Sequence, residues 1–234
     1  MDRLKEIREQ ERLSHTETYR NYVLYQKGSW MHNPVKSVLD LLPHFAGYSE
    51  VRVLDLGCGV GRNSIAIAQH FSDISCHIEC IDLLDVAIEK LKENAEAFHV
   101  SKNIQGITMP LEKYPIKQEF YDLVLGISAL EHSESEELLI QTLEKIRDGV
   151  RNNGIVCLII NSDVQEFNTQ TGLEIPAQFE VNMTQYSLLS LLEQIFKGWT
   201  VLKSTVHKQQ YDIPRGNIIS DLHTNVITYA VRKR

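Results

Sequence analysis

Apolar residues recur along this chain with two periods that take turns. A strand is predicted over Val51–Asp55, where Val51, Val53 and Leu54 are apolar and Leu56 follows. It runs into Gly57-Cys58-Gly59-Val60-Gly61, after which Ile65, Ala66, Ala68 and Phe71 repeat at helical spacing. The alternation continues with a strand over Cys76–Asp82, a helix from Asp85 to Phe98 carrying Val86, Ile88, Leu91 and Ala95, and a short strand over Ile104–Met109. Tyr121–Ile127 is an apolar run of strand length, and Glu134–Val150 a helix with Leu138, Leu139, Leu143 and Ile146 inward. Asn152-Asn153-Gly154 then turns the chain into a strand over Ile155–Ile160. These strands are continuous apolar runs, which need cover on both faces, and they alternate with helices. Both facts predict an α/β fold built on a parallel sheet.

The two ends read differently. Residues 1–25 predict a helix with a thin apolar stripe of Leu4, Ile7 and Leu13 among charges, an arm or lid rather than core. Gly28–Asn33 breaks it, and Asn33 is expected to cap a short helix with Pro34 at its first position, carrying Val35, Val38, Leu39 and Leu42. This divides the chain into an arm, 1–33, and a domain, 34–234. Residues 162–182 lack periodicity and read as a long excursion. Thr184 caps a helix through Phe196, and Trp199–Val206 and Thr224–Arg232 read as two last strands joined by a polar loop.

Composition narrows the functional classes. The chain has 234 residues and a net charge of −7, which points away from a phosphate backbone as partner. No apolar run approaches the roughly 18 residues of a membrane span, and Met1–Arg12 lacks the apolar stretch of a secretory signal, so a cytoplasmic location is expected. Cys76 and Cys80 share one face of a strand, and no further pair completes a zinc set with Cys58 and Cys157. Packed, reduced thiols and no metal are expected. Oligomeric state is not written in the pattern.

Chemistry concentrates in the glycine turn. Glycine tolerates positive φ and leaves the backbone bare, and ligands of open α/β sheets gather at the carboxyl ends of the strands. A dinucleotide site would read G-x-G-x-x-G. Here the third glycine comes one residue early and Arg62 fills the sixth position, which disfavours a nicotinamide-dependent reductase. Asp82 ends the second strand, 27 residues beyond Asp55, where a carboxylate can accept from both ribose hydroxyls. The plain alternative is a tight turn with a helix-capping aspartate. Taken together the pieces point to a nucleoside cofactor.

Asp55-Leu56-Gly57-Cys58-Gly59-Val60-Gly61 resembles the first motif of class I S-adenosylmethionine-dependent methyltransferases. Phe120-Tyr121-Asp122-Leu123-Val124-Leu125 resembles their fourth-strand motif, and Asn153-Gly154-Ile155-Val156 their turn before the fifth strand. The resemblance covers residues 30–160. It implies a three-layer Rossmann-like fold, a seven-stranded mostly parallel sheet with the last strand antiparallel, and S-adenosylmethionine as cofactor. It implies that Gly57, Cys58, Gly59 and Gly61 bracket the methionine portion while Asp55 orients its amino group. Asp82 would hold the ribose, Leu83 would pack on adenine, and Ser128 would sit beside the donor methyl. Pro110 stands where the family often has an acidic residue for adenine, which leaves the backbone of Leu111, or Glu112, to make that contact.

Gly61-Arg62-Asn63-Ser64 further resembles tellurite-resistance methyltransferases, as does a C-terminal layout of Phe179, a helix, Gly198-Trp199 and a closing Val231-Arg232-Lys233. That implies a small-molecule acceptor such as tellurite, selenite or a thiol. An oxyanion needs cations or donors to hold it. Arg215, Arg62, His32 and His132 are the candidates, with His223 behind them. Each has an ordinary alternative: Arg62 pairing at a helix start, Arg215 as an exposed loop charge, His132 capping or packing, and His223 on a strand edge. Trp30-Met31-His32 reads equally as a lid contact or as packing. The main rival to catalysis is a non-catalytic module that keeps the fold and the cofactor as a sensor or scaffold.

Overall fold

The computed structural model describes residues 3–215 and 218–234; the side chains of residues 3, 4, 6, 11 and 214 lie outside the description. The start of the expected helix at Met1 and the place of Leu4 in its stripe therefore fall outside it too. Eight strands form one sheet: β1 Glu50–Leu56, β2 Ser75–Asp82, β3 Ile104–Thr108, β4 Tyr121–Ile127, β5 Val150–Asn168, β6 Glu174–Ile175, β7 Thr200–Arg215 and β8 Ile218–Arg232. The order is β3-β2-β1-β4-β5-β8-β7, with β6 paired to β5 off this path. The first five run parallel, and β8 lies antiparallel between β5 and β7. The seven-stranded sheet expected from the resemblance is present; the two-residue β6 is an addition the apolar pattern did not announce.

Alternate residues of each central strand face opposite cores. Val51 and Val53 of β1, Cys76 and Ile78 of β2, and Leu123 and Leu125 of β4 pack into one core. That core is shared with α3 Arg62–His70 and α4 Asp85–Ala97. Leu54, Leu56, Val124, Val156 and Leu158 face the other, with α5 Glu136–Gly149 and α6 Gln185–Ile195. Every residue of β4 is buried, as a strand covered on both faces requires. All four cysteines are free and buried, and none of the described helices is long and apolar enough to cross a membrane.

Four boundaries depart from the pattern. α1 spans Arg3–Asn21 and stops short of residue 25. Asn33 does not cap α2, Lys36–Leu39; the N-cap position falls at Val35, which makes no side-chain cap and whose N–H donates to Asn63 Oδ1, while Asn33 stands extended before Pro34. α5 starts two residues late at a Ser135 cap that accepts from Leu138 N, whereas Thr184 caps α6 as expected. The largest departure concerns the expected loop between the last two strands. β7 and β8 continue as one long antiparallel ladder to the Arg215–Ile218 pair, and β5 follows them out to Asn168. A three-stranded extension thus projects past the carboxyl end of the parallel sheet. Arg215 is the last residue of a strand, not part of a loop.

Tyr19, Leu24 and Met31 belong to the same buried cluster as α3 and α4. Between β3 and β4 the chain makes a single 3-10 turn, Leu111–Lys113, instead of a helix.

Candidate active site

β1 ends in a turn that positive φ shapes: 74° at Gly57, 53° at Gly59 and 89° at Gly61. Gly57 N and Cys58 N donate to Ile81 O of β2 at 2.8 and 3.0 Å, and Gly59 N donates to Asp82 Oδ2 at 2.8 Å. Asp82 Oδ1 accepts from Leu84 N at 2.9 Å. Each carboxylate oxygen has a second lone pair, so Asp82 latches the turn and retains acceptor capacity for a ribose. Burial pushes its carboxyl above the usual range, against the pull of these backbone donors. Leu83 beside it is a large apolar side chain with 40% of its surface exposed, the kind of face an adenine covers.

Asp55 lies beneath the turn, 1% exposed. Its Oδ2 accepts from Ser64 of α3, and its Oδ1 is buried without a hydrogen-bond partner. A buried carboxylate oxygen without a donor is costly. An ammonium group, direct or through a water, would satisfy it, so the residues present fit the amino-acid end of the cofactor. Burial pushes the Asp55 carboxyl up to about 6, with Ser64 pulling the other way. Unfolding relieves that burial, so ionised Asp55 lowers stability progressively from about pH 4 to about pH 6, and the loss persists above. An ammonium seated on Asp55 would feel the same shift. S-adenosylhomocysteine should bind about tenfold tighter at about pH 7 than at about pH 5, as the ionised fraction grows. Calorimetry on wild type and Asp55→Asn checks this; an equal pH slope in both would move the ammonium contact elsewhere.

Ser128, just past β4, stands exposed at φ 51° while its N–H donates to Ile159 O at 2.7 Å. A positive φ at a non-glycine residue costs energy and clusters at functional edges. Ala129 beside it is in close contact with the glycine turn: a Cβ built on Gly57 would fall 2.2 Å from its Cβ. Pro110 opens the 3-10 turn after β3, with Leu111 half-buried and Glu112 turned inward, 6% exposed.

α1 crosses this edge. A Cβ on Gly59 would meet the Tyr19 hydroxyl at 3.1 Å. His15 lies 5.4 Å from the Tyr19 ring, and burial followed by the influence of His132 brings its imidazole down to about 4. Trp30 stands edge-on to both rings and covers the Arg62 guanidinium at 4.9 Å. Arg62 also donates to Trp30 O at 2.9 Å, and burial holds its pKa below the ordinary arginine value.

The acceptor candidates therefore separate. His132 Nδ1 lies 2.8 Å from Glu180 Oε2, its ring stacks on Phe179 at 5.3 Å, and its charge bears on Asp82 and His15. It belongs to this edge by its contacts with Glu180 and Phe179 and its electrostatic influence on Asp82 and His15, whichever protonation state it holds. His32 is exposed and meets the carbonyl of Ser29 in its own turn. His223 pairs with Asp221 and lies against Phe167, out on the extension. The fork of Arg215, expected to be open for an anion, is filled: Nε and Nη2 donate to Glu166 at 2.7 and 3.2 Å, and Nη1 to Gln178 at 2.7 Å. Glu166 is 1% exposed and takes a further hydrogen bond from Ser220.

Five residues around this edge escaped the sequence reading. Glu131, 1% exposed, accepts from Asn161 through Oε1 and leaves Oε2 buried without a hydrogen-bond partner. Glu180 orients His132. Arg8, His15 and Tyr19 come from one face of α1. Their spacing of seven and four was a legible signal, obscured by the charges around it.

Comparison with known proteins agrees with this geometry. Residues 53–154 match the family model of a methyltransferase domain. A carboxy-S-adenosyl-L-methionine synthase of Vibrio atlanticus is 24% identical over 169 residues, 68% of this chain and 66% of that protein. TehB from Haemophilus influenzae superposes with a TM-score of 0.62 at 20% identity, covering 86% of this chain and 62% of that one. A structure from the conversion of a disulfide bond into a thioacetal group during echinomycin biosynthesis gives 0.60 at 18% identity, over 95% and 92% of the two chains. The chain spans 37% to 66% of the length of its curated relatives. The matched segment, the sheet order and the glycine turn agree: residues 53–154 are similar to a methyltransferase domain, set in the mostly parallel Rossmann-like fold that TehB shares.

Proposed function

We propose that the chain transfers the methyl group of S-adenosylmethionine to a small molecule bound between α1 and the end of β4. The observation that carries this reading is Asp55 Oδ1, buried without a donor under a turn of three left-handed glycines. It is a site prepared for an ammonium beside bare backbone. The cofactor supplies a methyl already activated by its sulfonium. The protein's task is to align the acceptor and to exclude water. Gly57, Cys58, Gly59 and Gly61 would bracket the methionine, Asp82 the ribose, Leu83 and the Pro110–Leu111 backbone the adenine, and Ser128 the donor side. His132, oriented by Glu180, would stand on the acceptor side.

The fold shared with TehB, a tellurite-resistance methyltransferase, keeps tellurite, selenite and thiols among the acceptors to be tried. The relation to a carboxy-S-adenosyl-L-methionine synthase favours a second reading, in which the cofactor itself is altered. One experiment separates these. S-adenosylhomocysteine at about 100 times its Kd should stabilise the native state by about 2.7 kcal/mol and raise Tm. Incubation with S-adenosylmethionine and each acceptor, followed by mass spectrometry, should yield S-adenosylhomocysteine and an acceptor heavier by a methyl group. A cofactor of changed mass with no methylated acceptor favours the second reading. A thermal shift with no turnover favours a sensor, and a shift with NADH alone would sink the cofactor assignment.

A further inference from the structure

Arg8 of α1 reaches a place where the charges do not balance. Among the described residues, its guanidinium has three carboxylates within 4 Å: Glu134 at 3.0 Å, Glu112 at 3.5 Å and Glu180 at 3.7 Å. The Glu134 side chain is one-third exposed, but those of Glu112 and Glu180 are 4% and 1% exposed. The oxygens that these two turn toward Arg8, Glu112 Oε1 and Glu180 Oε1, are both buried without a hydrogen-bond partner, and so is Arg8 Nε. Distances of 3.5 and 3.7 Å lie outside good N–H···O geometry. A guanidinium carries five donors, yet among the described residues the well-made bond of this one goes to the outermost acid. The two inner carboxylates hold a cation in the right place but at the wrong distance.

The position adjoins the cofactor edge. Glu112 follows Pro110 and Leu111 at the end of β3, and Glu180 holds His132 through its other oxygen. We propose that Glu112 and Glu180 anchor a positively charged nitrogen group of the acceptor, an ammonium or guanidinium, at the place where Arg8 of α1 now lies. The word acceptor rests on the methyl-transfer reading above. Arg8 is then an internal occupant that withdraws with α1, and its tie to the exposed Glu134 is the weaker kind of ion pair. An oxyanion would meet two buried negative charges here. An ammonium between the two orphaned oxygens would donate to both.

Calorimetry with n-butylammonium and its neutral isostere n-butanol tests this, on the protein with and without S-adenosylhomocysteine. Wild type should prefer the ammonium by at least about tenfold in Kd, the scale of one charge-assisted hydrogen bond. Glu180→Gln and Glu112→Gln should each reduce that preference to within about threefold, and Arg8→Gln should tighten the ammonium at least about threefold by removing its competitor. Equal binding of the two probes by wild type overturns the proposal. So does a preference that survives both glutamine variants, or a Glu112→Gln variant that loses S-adenosylhomocysteine while keeping n-butylammonium, which would give Glu112 to adenine. Failure of wild type to bind S-adenosylhomocysteine would overturn the cofactor reading instead, and the titration of the unliganded protein would still decide this one.

Discussion

Arg215→Ala should lower unfolding free energy by about 3–5 kcal/mol, the range for breaking a buried ion pair from one side. Glu166 is 1% exposed, and the Arg215 fork is its charge partner. Without it the carboxylate keeps the Ser220 hydroxyl and must be neutralised or hydrated inside the extension. For a domain of this size the loss corresponds to a fall of roughly 6–20 °C in Tm. The paired change Arg215→Met with Glu166→Leu should recover most of it, since an apolar pair of similar volume carries no desolvation penalty. Urea unfolding of the two variants is the measurement. If Arg215→Ala keeps wild-type stability but loses acceptor kcat/KM, the guanidinium grips acceptor after all, as the sequence led us to expect.

Gly57→Ala should weaken S-adenosylhomocysteine binding about 100-fold or more and lower Tm as well. Two causes act together. The φ of 74° is strained for any residue with a Cβ. The new methyl would also lie 2.2 Å from Ala129 Cβ, about half a normal contact, so the 128–132 segment must move. That segment holds Ser128 and His132, hence the effect on both cofactor and acceptor sides. Gly57→Ala with Ala129→Gly relieves the collision but not the strain, and should recover part of the loss. A single variant that binds like wild type at unchanged Tm would show that the turn tolerates the shift and that the cradle is not tight.

The parallel half of the fold was legible because burial on both faces leaves its mark on every residue. Tyr121–Ile127 has no polar face to confuse with a helix. Asp55, Gly57, Gly59, Gly61 and Asp82 were legible because a bare turn between strand and helix admits few sequences. The extension was not. His207, Lys208, Gln209 and Gln210 of β7 are exposed and polar, so no apolar alternation reveals the strand. It is held by ladder hydrogen bonds and by the Glu166–Arg215–Ser220 contacts, whose members lie far apart in the chain. Arg215 looked available for a ligand for the same reason: nothing adjacent to it in sequence names Glu166. The Glu112–Arg8–Glu180 cluster draws one residue from each of three segments, and such a site has no local spacing to read.

The hairpin of β7 and β8 has a consequence for how the sheet is completed. Arg215 and Ile218 pair across a few residues, so the hairpin can zip from its tip in about 1–10 μs without closing a long loop. β5 must instead find a partner near the far end of the chain, Ile155 opposite Arg232. During synthesis β5 emerges with its apolar Ile155–Ile160 edge unpaired and waits while the excursion, α6 and β7 follow. An unpaired apolar strand edge is a template for other chains. Until β8 arrives, the nascent protein therefore carries its aggregation hazard along β5, and the speed with which the finished hairpin docks there limits how long that edge stays open.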